Sequence, residues 1–135
     1  MKVKNKPIKL LTNLSLRRFC STVNKRYFGG RLPIASIKFS VAMDNSCHGK
    51  THTCIYDVTQ LDGRITEKEF QHIEINSRLR RYRDLCMMTV YHEMVHAELD
   101  SLGFRGKDLK CRKSSVLFND RMTELARAGA FNGLW

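Results

Sequence analysis

The stretch from Asp84 to Ser101 constrains this chain more than any other. It runs without glycine or proline, its apolar residues recur at helical spacing, and Gly103 follows where a left-handed cap belongs. A helix over 84–101 is expected, with Met87, Val90, Met94 and Val95 anchoring it to a core. In its middle stands Tyr91-His92-Glu93-Met94-Val95-His96, an HExxH pattern. Four residues apart on a helix, His92 and His96 share one face, one turn from each other.

Two imidazoles so placed can reach one metal at about 2.0–2.1 Å each. Glu93 follows the first histidine, so its carboxylate points beside the metal and can accept a proton from a metal-bound water. Zinc lowers the pKa of such a water towards 7, and the carboxylate can pass the proton to a leaving amine. The expected site is a zinc ion on His92 and His96 with Glu93 as catalytic base, the arrangement of a metalloprotease. The plainer reading is two surface histidines on a core helix. The apolar helical context favours the metal.

The rest of the chain supplies one modest core around that helix, as 135 residues should. Residues 1–9 read as a loose basic arm and 10–135 as a single domain. A first helix is expected over 12–28, capped by Thr12 or Asn13, with Leu14, Leu16, Phe19, Val23, Tyr27 and Phe28 apolar; Gly29-Gly30 stops it. Residues 34–42 alternate, placing Ile37, Phe39 and Val41 on one face, and 51–59 and 70–76 read as further strands, with Ile73 and Ile75 inward. Asp62-Gly63 marks a tight turn. The strands should form a small, mostly antiparallel meander. A last helix over 115–128 has Val116, Phe118, Met122, Leu125 and Ala126 as its apolar side, ended by Gly129. Helix, strands and two helices in that order give an α+β domain.

The formal charge is +11, and it is uneven: Asp44 is the first carboxylate in the chain. Basic runs follow at Arg78, Arg80, Arg81 and Arg83, and at Arg105, Lys107, Lys110, Arg112 and Lys113. Such a field favours nucleic acid or another polyanion. With no aromatic run suited to base stacking, DNA contact would be electrostatic and non-specific. No apolar run is long enough to span a membrane, and Asn13, Ser15, Arg17 and Arg18 break the apolar stretch a signal peptide would need. The cysteines are Cys20, Cys47, Cys54, Cys86 and Cys111, an odd number without a CxxC pair. Free thiols and a cytoplasmic setting are expected.

From Phe19 to Leu125 the chain resembles the SprT-like metallopeptidases, whose eukaryotic relatives, the Spartan proteases, cleave proteins crosslinked to DNA. Asn24-Lys25-Arg26-Tyr27-Phe28-Gly29-Gly30-Arg31-Leu32 is similar to the family's "N..YF.G.L" signature. Ile37-Lys38-Phe39-Ser40 matches its next strand, Gly49 a glycine before the strand after that, Ile73-Glu74-Ile75-Asn76 the strand before the active helix, and Leu85 to His96 the active helix itself. The resemblance implies a zincin-like α+β fold, a zinc ion and peptidase activity on proteins near DNA.

A catalytic zinc site needs three protein ligands and one open position. The family's third ligand is a histidine in an "HG..F" motif beyond the active helix, and no histidine follows His96 here. Depending on placement, Arg105 (in Arg105-Gly106-Lys107-Asp108-Leu109) or Ser114 (in Ser114-Ser115-Val116-Leu117-Phe118) stands in its place. Glu124 on the last helix could supply a carboxylate instead, with Asp108 and Asp120 next and Cys111 a softer choice. Cys47, His48, His52 and Cys54 form a second group of metal-binding types, but their spacing fits no known zinc finger, and a plain hairpin explains them better. His72 reads as strand surface. Two functions follow: a SprT-like zinc endopeptidase, or a DNA- or protein-binding module that keeps the fold without the third ligand.

Overall fold

The computed structural model describes residues 9–103 and 112–134, without the side chains of 112–115. Residues 1–8 of the basic arm therefore lie outside the described residues, as do Arg105, Asp108, Cys111 and the Ser114 side chain. The expected α+β class is the one found: α1 (Asn13–Tyr27), β1 (Ile34–Ser40), β2 (Gly49–Thr59), β3 (Ile65–Asn76), a short 3-10 turn (Ser77–Arg81), α2 (Arg83–Ser101) and α3 (Arg112–Arg127).

Thr12 caps α1 through a capping box with Ser15, each side chain bonding the other's backbone N–H. Leu16, Cys20 and Val23 are its buried stripe, while Leu14 stays 46% exposed. After α1 the chain reverses through Gly29 and Gly30, whose φ values of 62° and 70° suit glycine. Asn24 holds this reversal: its Nδ2 donates to the Leu32 carbonyl at 3.0 Å and its Oδ1 accepts from the Leu32 N–H at 3.3 Å. The asparagine–glycine signature is thus a clamp that leads α1 into β1.

The strands are not a meander. Their order is β1-β3-β2, with β2–β3 antiparallel and β1–β3 parallel. The tight turn at Asp62-Gly63 zips β2 to β3 along a ladder from Gly49–Ile75 to Thr59–Ile65, so β3 has only its other edge free for β1. The longest strand, β3, takes the centre, where Ile73 and Ile75 are fully buried. β3 also begins at Ile65, before the expected residue 70, because the outer half of the hairpin runs past the core and its exposed residues carry no burial pattern.

The central helix α2 packs against the sheet on one side and α3 on the other. Cys20 of α1 touches Met94 of α2, and Ile37, Ile73, Ile75, Val90 and Val95 fill the space below. Tyr91 meets Phe19, Tyr27 and Phe131 edge-to-face at centroid distances of 5.6, 6.0 and 5.1 Å. Each such pair adds about 0.5–1.5 kcal/mol beyond area burial, so α2 is held firmly beside His92. On α3, Leu125 is buried and Phe118 and Met122 are half-buried, but Val116 and Ala126 face solvent. The expected apolar side is narrower because α3 presents only one strip to α2. Past Gly129 (φ 84°) the chain returns, and Ala130, Phe131 and Leu134 join the core. No described helix is long and apolar enough to cross a membrane.

Candidate metal centre

The core packing of α2 turns His92 and His96 outward together. Their Nε2 atoms lie 3.1 Å apart. Two nitrogens about 2.05 Å from one tetrahedral metal would sit roughly 3.3 Å apart, so the pair is already close to ligand spacing. The ligand atoms of His92, Glu93 and His96 lie within 4.8 Å of one another, and this group could hold a metal ion. Phe118 of α3 covers both rings, with centroids 4.7 Å from His92 and 4.6 Å from His96. Burial lowers the pKa of both imidazoles; for His92, the positive charges of His96 and then His48 lower it further. Both shifts favour the neutral imidazole, the form that offers a lone pair. His96 Nδ1 is buried with no hydrogen-bond partner among the described residues.

Glu93 faces the sheet and is 5% exposed. The Thr51 hydroxyl donates to its Oε2 at 2.6 Å and lies 3.1 Å from its carbonyl oxygen. Burial pushes the Glu93 carboxyl above its usual range, the Thr51 hydrogen bond pulls it back, and the Asp100 carboxylate pushes it up again. Gly49 makes the close approach possible: a Cβ there would sit 2.9 Å from Glu93 Cγ and 3.0 Å from Thr89 Cγ2. Two more polar contacts continue this seam along α2. Gln71 Nε2 donates to the Ala97 carbonyl at 2.6 Å, and Thr53 Oγ1 donates to Asp100 Oδ2 at 2.7 Å. These partners escaped sequence reading because a threonine on an alternating strand looks like any solvent-facing residue. The period-two pattern does put Thr51, Thr53, Gln71 and Ile73 on one face, and that signal could have found them.

Beside the histidines opens a cavity of about 420 Å³, walled by Cys47, His48, Gly49, Met88, Glu93 and Met122 among others. The suspected second cluster is divided by β2. Cys47 and His48 face this cavity, whereas His52 and Cys54 alternate away from Thr51 and Thr53, which bond α2. His72 lies opposite His52 and bonds Ser36 Oγ through Nδ1 at 2.7 Å.

Of the substitute third ligands, Glu124 and Asp120 fall among the described residues, and neither is brought to the pair. Glu124 has a side chain 65% exposed and is paired with Arg121 at 3.1 Å; that arginine also bonds Glu98 at 2.9 Å. Asp120 is exposed. Neither belongs to a metal-competent group among the described residues. The i,i+3 spacing from Arg121 to Glu124 turns the carboxylate into a helix-surface ion pair. In the basic run before α2, Arg80 is part of the scaffold, donating to the Leu11 carbonyl at 2.9 Å and lying over the Phe39 ring, while Arg78, Arg81 and Arg83 are exposed.

No family model matches the chain, and no curated protein or solved structure matches it either.

Proposed function

We propose that the chain is a zinc-dependent endopeptidase of SprT-like, zincin-like type, acting on proteins on or near DNA. One observation carries the reading: two imidazoles whose Nε2 atoms lie 3.1 Å apart, with the buried Glu93 carboxylate beside them in the same group. A preformed nitrogen pair with an adjacent base of raised pKa is what metal-assisted hydrolysis needs.

His92 and His96 would hold zinc through Nε2. Zinc supplies Lewis acidity, which polarises a carbonyl and acidifies water. Thr51 occupies Oε2 of Glu93, which leaves Oε1 to take the proton from the attacking water and return it to the leaving amine. The raised pKa of Glu93 brings it nearer the working pH and makes it a better proton acceptor than an exposed glutamate. The exposed Arg78, Arg81 and Arg83 provide sequence-independent attraction to DNA phosphates.

The second reading is a DNA- or protein-binding module on the same fold. It is favoured by one observation, the engagement of Glu124 with Arg121 instead of the histidines. Metal analysis together with cleavage of an unfolded or DNA-bound protein separates the two. The peptidase reading expects about one zinc per chain, and cleavage abolished by Glu93→Gln with zinc retained. Metal-free protein without cleavage, but with salt-sensitive DNA binding that survives Glu93→Gln, establishes the binding module.

A further inference from the structure

We propose that His48, on the loop entering β2, is the third protein ligand of the metal held by His92 and His96. This rests on the metal-site reading above and supplies a donor that the described residues beyond α2 do not.

A third ligand must come from an element facing the cavity. On the α3 side the cavity wall is Met122, whose thioether is a weak ligand for zinc, and on the α2 side Leu85, Met88 and Thr89 offer no imidazole, thiolate or carboxylate. Among the described residues, the β1–β2 loop supplies the remaining donors. The Cys47 thiol already donates to the Gly49 carbonyl at 3.2 Å. The His48 side chain is exposed, lines the same cavity as His92 and Glu93, and makes no side-chain hydrogen bond to the described residues.

Its backbone, by contrast, is fixed. Buried Asn76 donates from its backbone N–H to the His48 carbonyl at 2.8 Å, and from Nδ2 to the carbonyls of Asp44 at 3.1 Å and Cys47 at 2.8 Å. Gly49, the next residue, is pressed against Glu93. As placed, His48 stands outside the close group of His92, Glu93 and His96, so ligation requires its exposed imidazole to turn on this fixed backbone towards the pair. The resulting three-histidine set keeps a fourth position open for water, the form a catalytic zinc site takes.

The test is zinc affinity of the full chain, measured with Zn²⁺ alone against a competing chelator, for wild type, His48→Ala, Cys47→Ser, His52→Ala and His92→Ala. Losing a group that merely supports a ligand costs roughly 10–100-fold in metal affinity, so His48→Ala should weaken zinc by at least about 100-fold. His52→Ala, on the far face of β2, should match wild type. Wild-type affinity in His48→Ala with loss in His92→Ala overturns the assignment and leaves the metal site standing. Loss in Cys47→Ser but not in His48→Ala overturns it in favour of the thiolate. Unchanged affinity in His92→Ala removes the metal-site reading itself. His48 is exposed, so its truncation leaves no buried hole, and matching apo melting curves confirm the fold.

Discussion

Glu93 and His92 are neighbours on one helix, yet they stand in opposite surroundings. The Glu93 side meets the sheet through a short hydroxyl bond, a glycine with no room for a methyl group and two further polar rungs along α2. The histidine side meets an aromatic ring, a thioether and a cavity, and His96 Nδ1 has no partner among the described residues. The position of the Glu93 carboxylate is set by the fold. On the other side the two imidazoles stand close enough to share a metal ion. An enzyme can tolerate a ligand side that tightens on metal binding, because metal affinity then contributes to folding. A drifting base has no such compensation, since proton transfer needs hydrogen-bond geometry.

The largest effect should come from closing the gap at Gly49. Gly49→Ala pushes a methyl group into Glu93 and Thr89 and should cost roughly 2–3 kcal/mol by overpacking. Denaturant unfolding gives the cost; cleavage should fall further than zinc affinity, and the reverse order would show that the two sides are not separate. Thr51→Val comes next. It leaves a buried carboxylate without its donor and should cost about 2 kcal/mol, again with zinc binding little changed.

Glu93→Gln should act in the opposite direction. Burial raises the Glu93 pKa, so in metal-free protein the fold disfavours the carboxylate at neutral pH. The amide avoids that penalty and should raise the melting temperature of the apo chain while abolishing cleavage. The sign fixes the pH window. A raised folded pKa means the wild-type penalty is present above that pKa and fades as pH falls through it towards the ordinary glutamate value near 4.3. Melting curves of the two chains should converge on acidification, and a constant gap would point to a packing effect.

Glu124→Ala should do least. It removes one exposed pairing and should change stability by less than about 1 kcal/mol, with zinc affinity at the wild-type level. A clear loss of zinc would bring the α3 carboxylate back into the site and reverse the contrast between the two sides.

Much of this was legible in one dimension. The HExxH spacing, the apolar period around it and Gly103 located the helix and its pair of histidines, because i,i+4 neighbours meet wherever a helix forms. Alternation placed Ile73 and Ile75 in the core, and Gly29-Gly30 and Asp62-Gly63 marked the turns. The capping residue Thr12 was one of two named, and its Ser15 partner confirms it. Local periodicity carries all of these. What it could not carry was the strand order, since a parallel neighbour for β3 depends on which edge the hairpin leaves free. Nor could it show that Glu124 belongs to Arg121, that Phe118 lies over the histidines, or that His48 and His52 part company across a strand. Sequence alone determined the residues that can bind a metal and the helix that pairs them. Only the tertiary structure decided which donors share their cavity and what holds Glu93, because those contacts join residues dozens of positions apart, and the packing of α2 between the sheet and α3 sets their distances.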